Sequence, residues 1–475
     1  MNISKSICIP INLDLKELIL QNPPRFSYSI DTFKYIIDLI LELPSWNNEL
    51  FETNEIPYVP IHAITLQKTV WNYDEYFRYL LNTGILECDN YYLPKVKSKG
   101  YRLTSVYRTK LKEERITAPK LLSRIKQITK QRNANAFELY PNLTGWFEGL
   151  EINATAAVQY LEGLYIQDVE SDRGSTEMAN IRYAARNSMV SRISNKNFLY
   201  AVDNCGHRFH TCLTNLKSEL RSYLSYKGHP LVSIDISNSQ PYLAGSLLNH
   251  HFYEPVADDC RINLFNLPSN LIKEINPLIR IIKQFNLSSS FTSLCSGGGP
   301  FPMLVKSTDD KQIPDILLYL DLVQSGKFYE YMQELTKRSQ SQDKSKLSRK
   351  EIKEMCMTVF FANPNDQNKY FKLQRDSFSS LFPTVYNIFN IIKSRQYNTL
   401  AILLQSIESE LVLNKICTRI TNERPDLPIF TIHDSICTTI GNEGYIEAIM
   451  NEELYNAVGM KPHFKKEYWV NNIIS

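Results

Sequence analysis

TIHDSICTT, residues 431–439, sets a histidine, an aspartate and a serine inside an otherwise apolar, strand-like stretch. A carboxylate between Ile432 and Ile436 is costly to bury without a cationic partner or a metal. Residues 429–432 and 436–440 read as two strands of a hairpin, with His433, Asp434 and Ser435 at the turn. Such a placement asks for a second carboxylate in a matching setting.

HPLVSIDISNSQPYLAGSLLN, residues 229–249, supplies one. Residues 231–234 form a short apolar strand with Asp235 at its end, and 237–241 give cap and first-turn residues for a helix through Leu248. Either aspartate alone has an ordinary explanation as a cap. Together, on adjacent strands, they would hold two divalent ions roughly 4 Å apart, the arrangement that serves in-line phosphoryl transfer.

A third piece lies between them, in LSRKEIKEMCMTVFFANP, residues 347–364. Ser348 and Glu351 make a capping box, and Asn363-Pro364 ends the helix. Arg349, Lys353, Met357 and Phe361 recur every four residues and share one slowly drifting face. Two cations at the positive end of a helix make an anion site, because the free backbone N–H groups add to their charge. The apolar pair further along could wall a flat base. The plainer alternative is a surface helix with solvated Arg and Lys and with Met and Phe in the core.

Composition fits a folded enzyme-sized chain. Its 475 residues, 43% hydrophobic and 22% charged, predict two to four domains of globular rather than disordered character. No apolar run approaches the ~20 residues needed to cross a bilayer, so no membrane partner is expected. MNISKSICIPIN lacks the layout of a secretory signal, and nine cysteines lack a repeating spacing, so an intracellular, cytoplasmic setting with reduced thiols is expected. Net charge is only +3. Between Lys95 and Arg132, however, thirteen Lys or Arg residues face two acids, Glu113 and Glu114, with Tyr101 and Tyr107 in the run. This stripe suits either phosphate-backbone contact or a solvated helix face.

Residues 30–44 read as an amphipathic helix. Residues 61–103 order as helix, helix, strand, basic turn (Lys95, Lys97, Lys99) and strand, similar to a winged helix, with a structural helix–hairpin as the alternative. Residues 111–165 read as helical, 290–312 as a glycine-rich loop and 337–346 as a polar linker.

Taken in order, these motifs resemble the family A DNA polymerases and the single-subunit phage and mitochondrial RNA polymerases. Their fingers motif, Arg-x3-Lys-x7-Tyr-Gly, appears as Arg349-x3-Lys353-x7-Phe361-Ala362. Asp235 is similar to the first palm aspartate of that superfamily, and His433-Asp434-Ser435 to its last palm motif. HDS and the Met357-Thr358 pair match the RNA polymerase branch more closely. DNCGHRF, 203–209, is similar to the template-contacting Asp-x2-Gly-Arg motif, although His207 intervenes before Arg208. Zinc held by Cys205, His207, His210 and Cys212 is the alternative there. The family tyrosine is Phe361 here, its glycine is Ala362, and Gln240 stands where DNA polymerases carry a glutamate that excludes ribose.

The resemblance implies an α+β, right-hand fold: an antiparallel palm sheet, helical fingers and thumb, and a mostly helical N-terminal region. It divides the chain into 1–109, N-terminal and winged-helix-like; 110–194, thumb-like; 195–254, first palm part; 255–395, fingers; and 396–475, second palm part. It implies a DNA-directed RNA polymerase or, alternatively, a DNA polymerase. Asp235 and Asp434 would hold two Mg²⁺ ions, with Lys353 as general acid. Arg349, Lys353, Met357, Phe361 and Gln240 would bind the nucleoside triphosphate, and Arg208, His433 and Gln405 the primer and template. Glu408, on the same helix as Gln405, is a further candidate for primer-side contact, with an ordinary exposed helical face as the alternative for both. The partners implied are a DNA template, RNA and nucleoside triphosphates. From another class, the rival reading is a nucleic-acid-binding replication or regulatory protein with an idle palm.

Overall fold

The computed structural model describes residues 5–46, 56–94, 97–171, 175–255, 260–285, 287, 315–339 and 348–470. The 290–312 loop lies outside them, as does most of the 337–346 linker, whose first residues continue the Phe328–Ser339 helix. The chain mixes helices with antiparallel sheets and forms two compact units. One comprises residues 1–201, 210–230 and 469–475; the other comprises 202–209 and 231–468. Among the described residues, no helix is long and apolar enough to cross a membrane.

In the first unit, helix Ile30–Glu42 buries Phe33, Ile36, Ile37 and Ile40 in a core shared with Ile7, Ile9, Leu80, Ile85 and Ile116. The helices Ala63–Thr69 and Tyr73–Asn82 lead into strands Leu86–Cys88 and Gly100–Leu103. Gly84, at φ 70°, reverses the chain after the second helix. Val59–Pro60 adds a third strand, in the order Val59–Pro60, Gly100–Leu103, Leu86–Cys88.

The expected helix over 111–165 is interrupted. Leu111–Ile116 is a strand paired with Lys5–Pro10, and Leu150–Ile152 pairs with Leu224–Tyr226. LKEERI is rich in helix formers, but its ladder to KSICIP overrides that local preference. Helices Pro119–Leu139 and Ala154–Glu170 take most of the remainder, and Thr176–Ser194 follows. Part of the basic stripe is neutralised internally. Arg102 bonds Glu87 at 2.7 Å, Arg108 bonds Glu177 at 2.8 Å, and Lys97 lies 3.4 Å from Asp89. Lys120, Arg124, Lys126 and Lys130 stay exposed along Pro119–Leu139.

The second unit is organised by three antiparallel strands. Ser435–Thr439 lies between Phe430–Ile432 and residues 231–235 of strand His229–Ile236. Strand Phe464–Trp469 also pairs with His229–Ile236. Leu231, Val232, Ile234 and Ile436 are fully buried in the sheet. Helices Asp315–Gln324, Arg349–Phe361, Lys369–Leu381 and Pro383–Lys393 enclose an aromatic core of Tyr319, Phe328, Phe360, Phe378, Phe382 and Phe389. Successive rings there meet at centroid separations of 5.2–6.4 Å, mostly edge-on or tilted.

Candidate active site

The hairpin closes tightly. Ile432 faces Ser435, so His433 and Asp434 are its two turn residues, and His433 takes φ 53°. Left-handed backbone at the first turn position matches the twist of the flanking strands. Ser435 is thus the first strand residue rather than part of the turn, and its Oγ donates to Ile432 O at 3.0 Å.

Across the sheet Asp235 is in register with Ser435, one residue from Asp434. Two carboxylates separated by nearly two hundred positions therefore meet at one end of paired strands. Burial and the adjacent Asp434 charge push Asp235 up to about 7, against the pull of Lys353 and Lys465. Burial likewise raises Asp434, against a Ser239 hydrogen bond and the charges of Arg208 and Lys353. Helix Ser239–Ser246 begins after Asn238 in left-handed conformation, φ 55°, and not at a side-chain cap as the SNSQP sequence suggests. That geometry brings Ser239 to Asp434 and leaves Gln240 buried.

The capping box of helix Arg349–Phe361 forms in full: Ser348 Oγ accepts from Glu351 N–H, and Glu351 reaches back to Ser348 N–H. Ile352, Met355, Cys356, Val359 and Phe360 face the core. The Arg349–Lys353–Met357–Phe361 face does not. Arg349 and Lys353 are exposed, and Met357 and Phe361 are half-buried. The plainer alternative holds for the solvated cations and only in part for Met357 and Phe361, which the core covers incompletely. Lys353 acts on both aspartates. Arg349 pairs with Glu330 at 3.1 Å and lies 5.4 Å over the Tyr329 ring. Buried Lys393 donates to Val359 O at 2.6 Å and Ala362 O at 2.8 Å, capping the far end of the helix.

Residues 203–208 make a compact loop. Asp203 accepts from the backbone N–H of Cys205, Gly206 and Arg208, and His207 takes φ 57°. The inserted His207 is thus absorbed in the left-handed region, and Arg208 donates to Glu408 at 2.8 Å. Gly206 packs on helix Thr399–Ser409: a Cβ there would fall 2.5 Å from Gln405 Cβ, and Ser409 Oγ donates to Gly206 O. Gln405 is half-buried, and Glu408 is 2% exposed. Neither lies on an open helical face. Glu408 also accepts from Gln240 Nε2 at 2.8 Å, and burial pushes it up to about 7, with Arg208 opposing.

Sequence reasoning missed Ser239, Lys465, Tyr329 and the depth of Glu408. Only Ser239 left a signal, its nearness to Asp235; the others come from elements whose approach is set by tertiary packing. Among the described residues, the three or more His, Cys, Asp or Glu side chains at metal-ligand spacing are His250, His251 and Glu254. Glu254 there already has the Lys283 ammonium at 3.2 Å. Cys205, His207, His210 and Cys212 form no such group, so the zinc alternative is set aside.

Asp235 and Asp434 fit Mg²⁺ in donor chemistry. They offer hard carboxylate oxygens, and their charged forms are held at a cost that a divalent cation would lift.

No family model and no curated protein matches the chain. Among solved structures it is similar to the POL domain of Pol1 from M. smegmatis, in complex with DNA primer-template and dNTP. The likeness has a TM-score of 0.37 and 9% identity, over 74% of this chain and 75% of that one.

Proposed function

We propose that the chain is a template-directed nucleotidyltransferase built on a right-hand polymerase plan. In this reading the sheet bearing Asp235 and Asp434 is the palm, and the segment around Arg349–Phe361 is the fingers. The basic Pro119–Leu139 region acts as thumb, and residues 1–109 bind nucleic acid through a winged helix. What carries the reading is the meeting of Asp235 and Asp434 on paired strands, with Lys353 in electrostatic reach of both.

Each residue then has a task. Asp235 and Asp434 hold the hard-cation site, oriented by the sheet register and by Ser239. Bound Mg²⁺ would supply Lewis acidity toward the attacking 3′-OH and charge neutralisation at the triphosphate. Arg349 exchanges its exposed Glu330 partner for phosphate, and Lys353 clamps the same chain of phosphates. Lys353 also donates a proton to the leaving pyrophosphate oxygen. Met357 and Phe361 wall the nascent base pair, and Gln240 lies at the sugar side. His433 meets the primer end, with Arg208 and Gln405 behind it. RNA synthesis is the favoured branch on the HDS and Met357-Thr358 details.

The test is Mg²⁺-dependent incorporation of labelled ribo- and deoxynucleotides on primed and unprimed templates. Asp235→Asn and Asp434→Asn are each expected to abolish synthesis while nucleic-acid binding is kept. Wild-type incorporation by both variants defeats the assignment.

A further inference from the structure

Glu408 is an unusual neighbour for a pair of cation-seeking carboxylates. A third acid, 2% exposed, lies within electrostatic range of Asp434. It stands on the last turn of Thr399–Ser409, and the helix widens into π geometry over Glu410–Cys417 directly afterwards. Such widenings are frequent at functional sites. Its Oε2 receives two donors, Arg208 Nη2 and Gln240 Nε2, each at 2.8 Å.

Arg208 is the group that gives this arrangement a purpose. Its charge acts on Asp434 as well as on Glu408, the carboxylate it bonds, so one guanidinium is felt by two acids. Among the described residues its buried Nε–H meets no acceptor, which leaves it donor capacity to spend on a second acid. The 203–208 loop cannot retreat to take Arg208 away. Gly206 is packed against Gln405, its carbonyl is held by Ser409, and Asp203 fixes the backbone on both sides. A guanidinium anchored there binds whichever carboxylate holds it better. If that carboxylate were Asp434, the cation site would carry an internal counter-ion competing with any divalent metal.

Resting on the nucleotidyltransferase reading for its consequence, we propose that Glu408 is a positioning residue that holds Arg208 off Asp434, keeping the Asp235–Asp434 pair open to divalent cations. Gln240 serves the same end from the other side: its amide N–H₂ donates to Glu408 and fixes the carboxylate toward Arg208.

The experiment reads cation binding directly, on the tag-free full chain without nucleotide. Mn²⁺ is titrated by electron paramagnetic resonance and by thermal shift. Glu408→Gln keeps the shape and removes the charge, so Arg208 turns to Asp434, and half-saturating Mn²⁺ is expected to rise at least about tenfold. Adding Arg208→Met to that variant is expected to restore half-saturation to within about threefold of wild type, because the competing cation is gone. A purely structural role for Glu408 predicts no such rescue. Should Glu408→Gln fail to fold, Arg208→Met alone decides, with tighter Mn²⁺ binding expected. Unchanged half-saturation in Glu408→Gln, absence of rescue, or weaker binding in Arg208→Met each overturns the proposal. If nucleotide incorporation is absent while these cation shifts appear, the polymerase reading fails and the role of Glu408 stands.

Discussion

Replacing Asp235 by Asn should make the metal-free protein more stable at pH 8. Asp235 is pushed up to about 7 by burial and by Asp434. An ordinary aspartate titrates near about 4, so the native state holds a proton between those values that the unfolded chain has released. Stability is therefore lost as pH rises from about 4 to about 7, and the full cost stands above that window. A rise of that size is worth roughly 4 kcal/mol, and partial exposure cuts the realised figure to about 2 kcal/mol. For a unit of this size that corresponds to roughly 4–8 °C in Tm. Melts of wild type and Asp235→Asn in EDTA, at pH 5 and pH 8, check this. The variant should melt higher at pH 8, by a margin that falls to less than half at pH 5, where the native group is still neutral and only the unfolded chain has released its proton. Millimolar Mg²⁺ should raise the wild type at pH 8 and leave the variant close to unmoved. A variant less stable than wild type at pH 8 in EDTA, or equally stabilised by Mg²⁺, refutes the reasoning.

Lys353→Ala should lower kcat/KM for nucleotide by roughly 10- to 1,000-fold, as the loss of one phosphate-clamping charge does, with primer–template affinity kept; steady-state kinetics decide, and an unchanged kcat/KM removes the clamp. Lys393→Met leaves the carbonyls of Val359 and Ala362 without their buried donor, a cost of about 1–3 kcal/mol. Chemical denaturation should show that loss, together with weaker amide protection along Arg349–Phe361. Charge reversal of Lys120, Lys126 and Lys130 should weaken binding to nucleic acid of any sequence and flatten its salt dependence by up to about 3 in log–log slope. A slope equal to wild type excludes that face.

Several parts of the site were legible because they depend on neighbours in sequence. The hairpin of 430–439 follows from apolar strands flanking two polar turn residues. The helix from Arg349 follows from Ser348 and Glu351 three apart, and its exposed stripe from a spacing of four. Asp235 at a strand end is visible in the run LVSID. Leu111–Ile116 was not legible: its Lys, Glu and Arg favour a helix, and only the approach of Lys5–Pro10 makes it a strand. The burial of Glu408 was not legible either, since nothing around this candidate distinguishes an exposed helical face from one covered by the 203–208 loop.

The sequence alone determined the elements and the chemical kinds of groups they carry, because turn geometry, capping and residue spacing act over a few positions. Only the tertiary structure decided which acids share a space. The pairing of Asp235 with Ser435, the reach of Lys353 and the burial of Glu408 against Arg208 all depend on strand register and on a loop docking to a helix. Register and docking are fixed by summed contacts across hundreds of residues, and no local pattern encodes that sum.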